Sequence, residues 1–468
     1  MAHLPPARSL NTHSLTKLKQ WQHSLIDKET VANSQVIVWR DGKICYNEAV
    51  GILRGDNTPT QHNDIYRYYS MSKPIVSLAL MMLFEEGKFL LADPVHLHLG
   101  PTWKKKNMAV YTSGNFNDGY TTTPLTTTVT IKHLLTHTSG ISYAFDPHGL
   151  VSKVDEILHK GNYTPYGNPQ RKLIDWAQHL PKAPLAFNPG DAYLYGFNSD
   201  VVGALVEVLS GQTLDVFLQE RIFTPCNMID TAFYVPDTKY HRFTSQWMPA
   251  SAAAYLGTVA PSSAAPKPTS TSSSKLTEID FQWSPDPATR KKTKNFVHDA
   301  SQKPVFFSGG AGLCGTAMDY AKFCAMLMHG GRSPTTGQRI IGSNTIQWMS
   351  RNHLTKHGKE TDLKGLERAG YSELTAQAGV GFGLGFSVVM NRALTKQIAS
   401  EGTYSWGGLA STSFICDPRE NLFVVHMTSL QFRNDLKTPI KMQLLQHVYG
   451  AIDDDVQRSR ELSTRSLL

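Results

Sequence analysis

Tyr68-Tyr69-Ser70-Met71-Ser72-Lys73-Pro74-Ile75-Val76-Ser77-Leu78-Ala79-Leu80-Met81-Met82-Leu83-Phe84 is the stretch on which the reading of this chain turns. Its near-continuous apolar run to Glu86 and Gly87 predicts a long helix opening at Ser70 and closed by Gly87, with Ile75, Leu78 and Met82 on its buried faces. An i,i+3 interval sets Lys73 on the same helical face as the Ser70 hydroxyl. The free N–H groups and positive field of a helix start suit a developing oxyanion. A serine hydroxyl is a poor nucleophile until a base takes its proton. Lysine serves as that base only if its pKa falls from about 10.4, which burial and like charge achieve. The same Ser-x-x-Lys spacing recurs at Ser14–Lys17, in a polar N-terminus, and at Ser272–Lys275, in a Ser/Thr-rich stretch. Only the Ser70 copy opens a long apolar helix. Spacing alone leaves a plainer reading open, in which Ser70 is a helix N-cap and Lys73 a surface lysine of the first turn.

Upstream, a helix is expected over about Leu15–Ile26. Val36-Ile37-Val38-Trp39 and Ile44-Cys45-Tyr46 flank Arg40-Asp41-Gly42-Lys43, and Asp-Gly is a favoured hairpin turn. Downstream, helical segments at Ile131–Leu135, Leu173–Leu180 and Ser199–Leu209 alternate with long polar loops such as Tyr111–Thr128, where no pattern is readable. Ala250–Lys275 is mostly Ala, Ser, Thr and Pro and reads as a flexible insertion. Compact structure resumes around Ser308, with a helix at Ala317–Met328 and strands at Gly385–Val389, Thr412–Cys416 and Leu422–Met427. A last helix is expected at Lys441–Tyr449. Strands at both ends with helices between predict an α/β (α+β) fold: an antiparallel sheet flanked by N- and C-terminal helices, with an inserted, mainly helical domain. The sheet domain would comprise residues 1–90 and 300–468, the inserted domain 91–299, and the flexible insertion 250–275.

Composition narrows the functional classes. The chain has 468 residues, a net charge of +8, 41% hydrophobic and 18% charged residues, which fits a globular protein with a sizeable core. The longest apolar run, Pro74–Phe84, is far short of the roughly 20 residues of a spanning helix. The first 25 residues lack an apolar signal-peptide core. They also lack Asp and Glu, a faint transit-peptide composition, but an ordinary polar N-terminus and a cytoplasmic location are the expectation. Five widely spaced cysteines without a CxxC pair argue against a disulfide framework or zinc ribbon and for a reducing compartment. The basic clusters Trp103–Lys106 and Arg290–Lys294 lack interleaved stacking aromatics, so they read as solvated loop charge rather than a nucleic-acid surface.

Several blocks, in one order, resemble the serine β-lactamase-like superfamily, which includes class C β-lactamases, D-alanyl-D-alanine carboxypeptidases, family VIII carboxylesterases and the lovastatin-pathway acyltransferase. Tyr68–Pro74 looks like its first motif. Thr130-Ile131-Lys132-His133-Leu134-Leu135-Thr136-His137-Thr138-Ser139-Gly140 is similar to its LLxHxSG block. Pro189-Gly190-Asp191-Ala192-Tyr193-Leu194-Tyr195 resembles the approach to its second motif. Ser308-Gly309-Gly310-Ala311-Gly312-Leu313 resembles its glycine-rich return to the sheet domain. Trp406-Gly407-Gly408 stands where its third motif belongs. The resemblance spans about Val36–Tyr449 and implies the β-lactamase/transpeptidase-like fold. It also implies roles: Ser70 as nucleophile, with Lys73 and Tyr195 managing protons and the backbone N–H groups of Ser70 and Leu409 forming the oxyanion hole. Tyr193 competes with Tyr195, and the spacing from Pro189-Gly190 selects Tyr195.

Two departures move the expectation from lactams toward esters. The lactamase second motif is Tyr-x-Asn, but Tyr195-Gly196-Phe197 puts Phe at the Asn position, with Asn198 one residue later. The lactamase third motif is Lys-Thr/Ser-Gly, and Trp406 supplies no cation. Trp406, Gly407, Gly408, Phe197 and Asn198 are therefore expected around the substrate. The i,i+4 pair His133 and His137 lacks the carboxylate of a metal motif. Gly310–Gly315 matches GxGxxG, but no Asp or Glu lies between Asp319 and Glu360 to serve a dinucleotide. The expectation is a cofactor-free, metal-free serine hydrolase. It would be a carboxylesterase on small uncharged esters or an acyltransferase, with a small-molecule ester or amide as its partner. A peptidase on small or D-configured amides and a catalytically idle scaffold are the alternatives. Oligomeric state is not readable.

Overall fold

The computed structural model describes residues 10–143, 153–165, 170–251, 275–278, 303–367, 377–431 and 439–452. Its centre is a seven-stranded antiparallel sheet. The strand order is Val380–Phe382, Ser387–Val389, Tyr404–Gly407, Ser413–Asp417, Leu422–Met427, β1 (Asn33–Arg40) and β2 (Lys43–Gly51). Asp41 and Gly42 make the β1–β2 turn with positive φ of 47° and 91°, the geometry that tight hairpins require. The two chain ends meet where β1 pairs with Leu422–Met427, Ile37 opposite Val425 and Val38 opposite Val424.

Strand alternation sorts the side chains onto two covered faces. Val36, Val38, Ile415 and Val424 pack with Leu18 of the helix α1 (Thr12–Asp27) and with Leu444 and Val448 of the helix Ile440–Tyr449. Ile37, Trp39, Phe423 and Val425 face the other way, into the main core. There Trp39 stacks on Phe423 with ring centroids 5.0 Å apart. That core is built around α2 (Ser72–Glu85), which is buried on nearly every side and ends before Gly87 at φ 71°. A helix apolar all round is a core helix.

The chain between the strands is mainly helical, with helices at Ile131–Leu135, Lys153–Lys160, Leu173–His179, Asn198–Ser210 and Leu214–Leu218. Leu158, Trp176, Leu205 and Phe217 belong to the same apolar cluster as Ile37 and Phe423, so sheet and inserted helices share one core. The polar segment after Met108 is a hairpin, Ala109–Asn115 with Gly119–Pro124. Its second strand is exposed throughout, so it carries no apolar alternation that a sequence reading could detect. Lys104, Lys105 and Lys106 are exposed, whereas Trp103 is buried and its indole N–H donates to the Ala177 carbonyl at 2.9 Å. The expected flexible insertion leaves and returns through a two-stranded ribbon, Trp247–Pro249 against Leu276–Glu278. Residues 252–274 of that insertion, and the basic run Arg290–Lys294, lie outside the described residues. Among the described residues no single helix is long and apolar enough to cross a membrane.

Candidate active site

Ser70 sits in a one-turn 3-10 helix, Tyr69–Met71, directly before α2. The residue preceding α2 is Met71, and no side chain caps that helix. The Ser70 hydroxyl is therefore not spent on the backbone, and the capping reading fails on geometry. Tyr69 holds a left-handed φ of 46°, a strained conformation for a bulky residue. Contacts from distant parts of the chain hold this turn in place, among them the Tyr320 hydroxyl donating to the Met71 carbonyl at 3.0 Å. Gln431 Nε2 donates to the Tyr69 hydroxyl at 2.8 Å, and the Tyr68 N–H donates to the Leu313 carbonyl at 2.9 Å.

Lys73 is not a surface lysine. It is 1% exposed, and its ammonium donates to Ser70 Oγ at 3.1 Å, to the Tyr143 hydroxyl at 2.9 Å and to the Gly310 carbonyl at 2.6 Å. Burial lowers its pKa to about 7, with the Asp200 carboxylate pulling in the opposite direction. A lysine so held is available as a neutral base near neutral pH.

Tyr195 faces this pair. Its phenol accepts the Trp406 indole N–H at 3.3 Å. Lys73 Nζ lies 4.7 Å from the Tyr195 ring centroid. Burial pushes the phenol above its ordinary range, and the Ser70 side chain and the Trp406 indole offset only part of that rise. Tyr193 points elsewhere, packing with Leu354, Leu363, Leu366, Val380 and Phe382. Ser70, Tyr143, Tyr195 and Trp406–Leu409 are each only partly covered, so together they line an accessible floor.

Trp406 and Gly407 end a central strand, with Trp406 opposite Phe414. A Cβ on Gly408 would lie 2.4 Å from the Tyr68 carbonyl oxygen and 2.3 Å from Thr412 Oγ1. Only glycine permits that approach, which lays the Gly408–Leu409 peptide against the turn carrying Ser70.

Phe197 and Asn198, expected around the substrate, lie beneath the floor and not on it. Phe197 is fully buried between Tyr143, at a ring distance of 4.6 Å, and Trp176, at 5.7 Å. Asn198 is also buried. It donates to His137 Nδ1 at 3.0 Å and accepts the Ser139 hydroxyl. The reason is that Asn198 opens the helix Asn198–Ser210, so the chain turns into the core immediately after Tyr195. Phe197→Ala is expected to lower unfolding stability by about 3–5 kcal/mol, the usual cost of emptying an aromatic core site; denaturant titration measures it.

His137 supports Tyr195 from below, with ring centroids 4.9 Å apart. Burial, with Lys73 nearby, holds its imidazole well below the usual range. The ring is thus neutral, and its Nδ1 accepts from Asn198 and, at 3.5 Å, from the Gly196 N–H. His133 instead caps its own helix, taking the Thr130 N–H on Nδ1 at 3.1 Å.

Sequence reasoning missed two residues here. Tyr143, three positions after Gly140, gives Lys73 its second hydrogen bond. Asp200 accepts the Ser308 hydroxyl at 2.6 Å and the Gly310 N–H at 3.1 Å, and so fixes the loop whose carbonyl receives Lys73. Burial raises the Asp200 carboxyl, against the pull of Ser308 and Lys73. A Cβ on Gly310 would lie 2.5 Å from Asp200 Oδ2 and 2.9 Å from the Tyr143 hydroxyl. Close approach, not a phosphate, explains that glycine. No local signal marks either residue as belonging to the site.

A sequence profile of the Beta-lactamase family matches residues 20–448. The chain belongs to the beta-lactamase family. It is 26% identical to Esterase EstB of Burkholderia gladioli over 458 residues, covering 95% of this chain and 98% of that protein. Among solved structures it is similar to unliganded simvastatin synthase LovD of Aspergillus terreus, with TM-score 0.69, 20% identity and coverage of 94% and 98%. It is also similar to EstCE1, a hydrolase with promiscuous acyltransferase activity, with TM-score 0.67, 22% identity and coverage of 94% and 99%. These likenesses establish the β-lactamase/transpeptidase-like fold. Family membership places the chain in a serine hydrolase superfamily whose members similar to it include esterases and acyltransferases.

Proposed function

We propose that this protein is a carboxylesterase that works through an acyl-enzyme on Ser70, with transfer of the acyl group to an alcohol as its companion reaction. The observation that carries this reading is the contact of Lys73 Nζ with Ser70 Oγ at 3.1 Å. That lysine is buried, its pKa is lowered to about 7, and the Tyr195 ring lies 4.7 Å from its nitrogen. Ser70 Oγ attacks the acyl carbonyl while Lys73 takes its proton. The tetrahedral oxyanion receives the Ser70 and Leu409 N–H groups. As the carbonyl re-forms, the bond to the leaving alkoxide breaks, and Tyr195 delivers a proton so that the alcohol departs neutral. Water or a second alcohol then attacks the acyl-Ser70 ester by the same steps in reverse.

The environment of the floor supports uncharged substrates. Lys73 spends its ammonium on Ser70, Tyr143 and Gly310, and the Trp406 N–H is taken by Tyr195. A carboxylated lactam would bring a buried charge without a partner, which is costly. Hydrolysis of short-chain p-nitrophenyl esters should exceed that of penicillins and cephalosporins by at least about a hundredfold in kcat/KM, or roughly 2.7 kcal/mol of discrimination. A side-by-side assay of the two classes measures it, and efficient lactam turnover would overturn the reading. All five cysteines are free, which supports work in a reducing compartment.

A further inference from the structure

Trp406 occupies the third-motif position without a cation, yet its polar atom is not idle. The indole N–H donates to the Tyr195 phenol oxygen at 3.3 Å. The other rings around Tyr195, His137 at 4.9 Å and Tyr143 at 5.3 Å, approach its ring. Lys73, the nearby cation, lies over the Tyr195 ring, 4.7 Å from its centroid. The hydrogen bond that reaches the phenol oxygen therefore comes from Trp406.

The donor is held in place before any substrate arrives. Trp406 is anchored by its strand register opposite Phe414 and by Phe382, whose ring stands edge-on at 5.2 Å and 89°. Tyr195 comes from the inserted helical part, so this bond joins the two parts of the molecule at the reacting hydroxyl. An indole N–H donates and never accepts. It can therefore only favour electron density on the phenol oxygen, which grows there as Tyr195 gives up its proton.

We infer that Trp406 is a positioning residue for proton transfer, its indole N–H holding the Tyr195 phenol oxygen against Ser70 and sharpening Tyr195 as an acid toward the leaving group. The inference rests on the acyl-enzyme reading given above. In the step concerned, the acyl–Oγ bond has formed and the carbon–oxygen bond to the alkoxide breaks. The phenol proton passes to that oxygen, and the proton taken from Ser70 by Lys73 restores the phenol. Nothing is oxidised or reduced, and the alcohol leaves.

Trp406→Phe removes the donor and keeps an aromatic ring. Two substrates with one acyl group separate the roles. An alkyl ester needs its leaving oxygen protonated, whereas a p-nitrophenyl ester does not. For the alkyl ester kcat/KM, which reports the steps through acylation, should fall about tenfold, the scale of one ordinary hydrogen bond. For the p-nitrophenyl ester kcat/KM should fall by less than about threefold. In a Tyr195→Phe background the Trp406→Phe change should cost the alkyl ester nothing further, because the bond it removes is already gone. Equal losses in kcat/KM on both leaving groups, or an undiminished effect in the Tyr195→Phe background, would each overturn the inference. Should Tyr195→Phe show no measurable turnover, the leaving-group comparison decides alone. Fluorophosphonate labelling of wild-type Ser70 runs alongside: its absence would sink the acyl-enzyme reading and this inference with it, whereas labelling with undivided effects sinks only the role of Trp406.

Discussion

Ser70→Ala is expected to cut kcat/KM on p-nitrophenyl esters by about 10⁴-fold or more, the usual consequence of deleting a nucleophile whose partners act as a unit. The fold should survive. The hydroxyl caps nothing in α2, and even a true capping serine costs only about 0.5–2 kcal/mol when truncated. Two measurements check this. Circular dichroism and a denaturation curve should match wild type, and mass spectrometry after an activated ester should find the adduct on Ser70 in wild type and none in the mutant. An adduct on another residue, or near-normal turnover by the mutant, would refute the assignment.

Lys73→Met should cost about 10²–10⁴-fold in kcat, the range of a positioned general base, and should also change the pH profile. In wild type the amine is the base only when neutral. With its pKa at about 7, activity should climb as pH rises through that value, and the mutant should lose that limb. Stability should move as well. Unfolded, the lysine holds its proton to about 10.4; folded, it loses it at about 7. Between those values the unfolded chain binds more protons, so this group's contribution to stability improves as pH rises. Below about 7 both states carry the proton, and the native state bears the whole cost of the buried ammonium. Lys73→Met should therefore stabilise the fold most at low pH, with the advantage shrinking toward about pH 10. Denaturant midpoints of both proteins across that range test the sign. An advantage that grows with pH would mean the ammonium is well paired and its pKa not depressed.

Family and fold were readable because several local signals agreed. The Asp41-Gly42 turn predicts its own hairpin, and strand and helix signals at both chain ends predict a sheet closed by the termini. The helix at Ala317–Met328 and the strand Leu422–Met427 lie where the residues suggested. Polarity hid the rest. The hairpin Ala109–Asn115 with Gly119–Pro124 has a second strand with no buried face, so neither period nor composition marks it. Motif position points Phe197 and Asn198 toward the substrate, whereas the start of a helix turns both side chains into the core.

By itself the sequence determined what one helical turn can settle: a serine and a lysine three residues apart, at the head of an apolar helix, share a face whatever packs around them. It also determined that Trp406 brings no cation. Tertiary structure alone decided what the lysine is. Its bond to Tyr143 spans 70 residues and its bond to Gly310 spans 237. The packing that closes over those contacts strips water from the ammonium and lowers its pKa to about 7. Desolvation is a property of everything around a group, gathered from both parts of the fold, and no spacing along the chain encodes it. The same holds for the indole of Trp406 meeting the phenol of Tyr195, 211 residues apart, a contact that exists only once the sheet and the inserted helices have closed on one core.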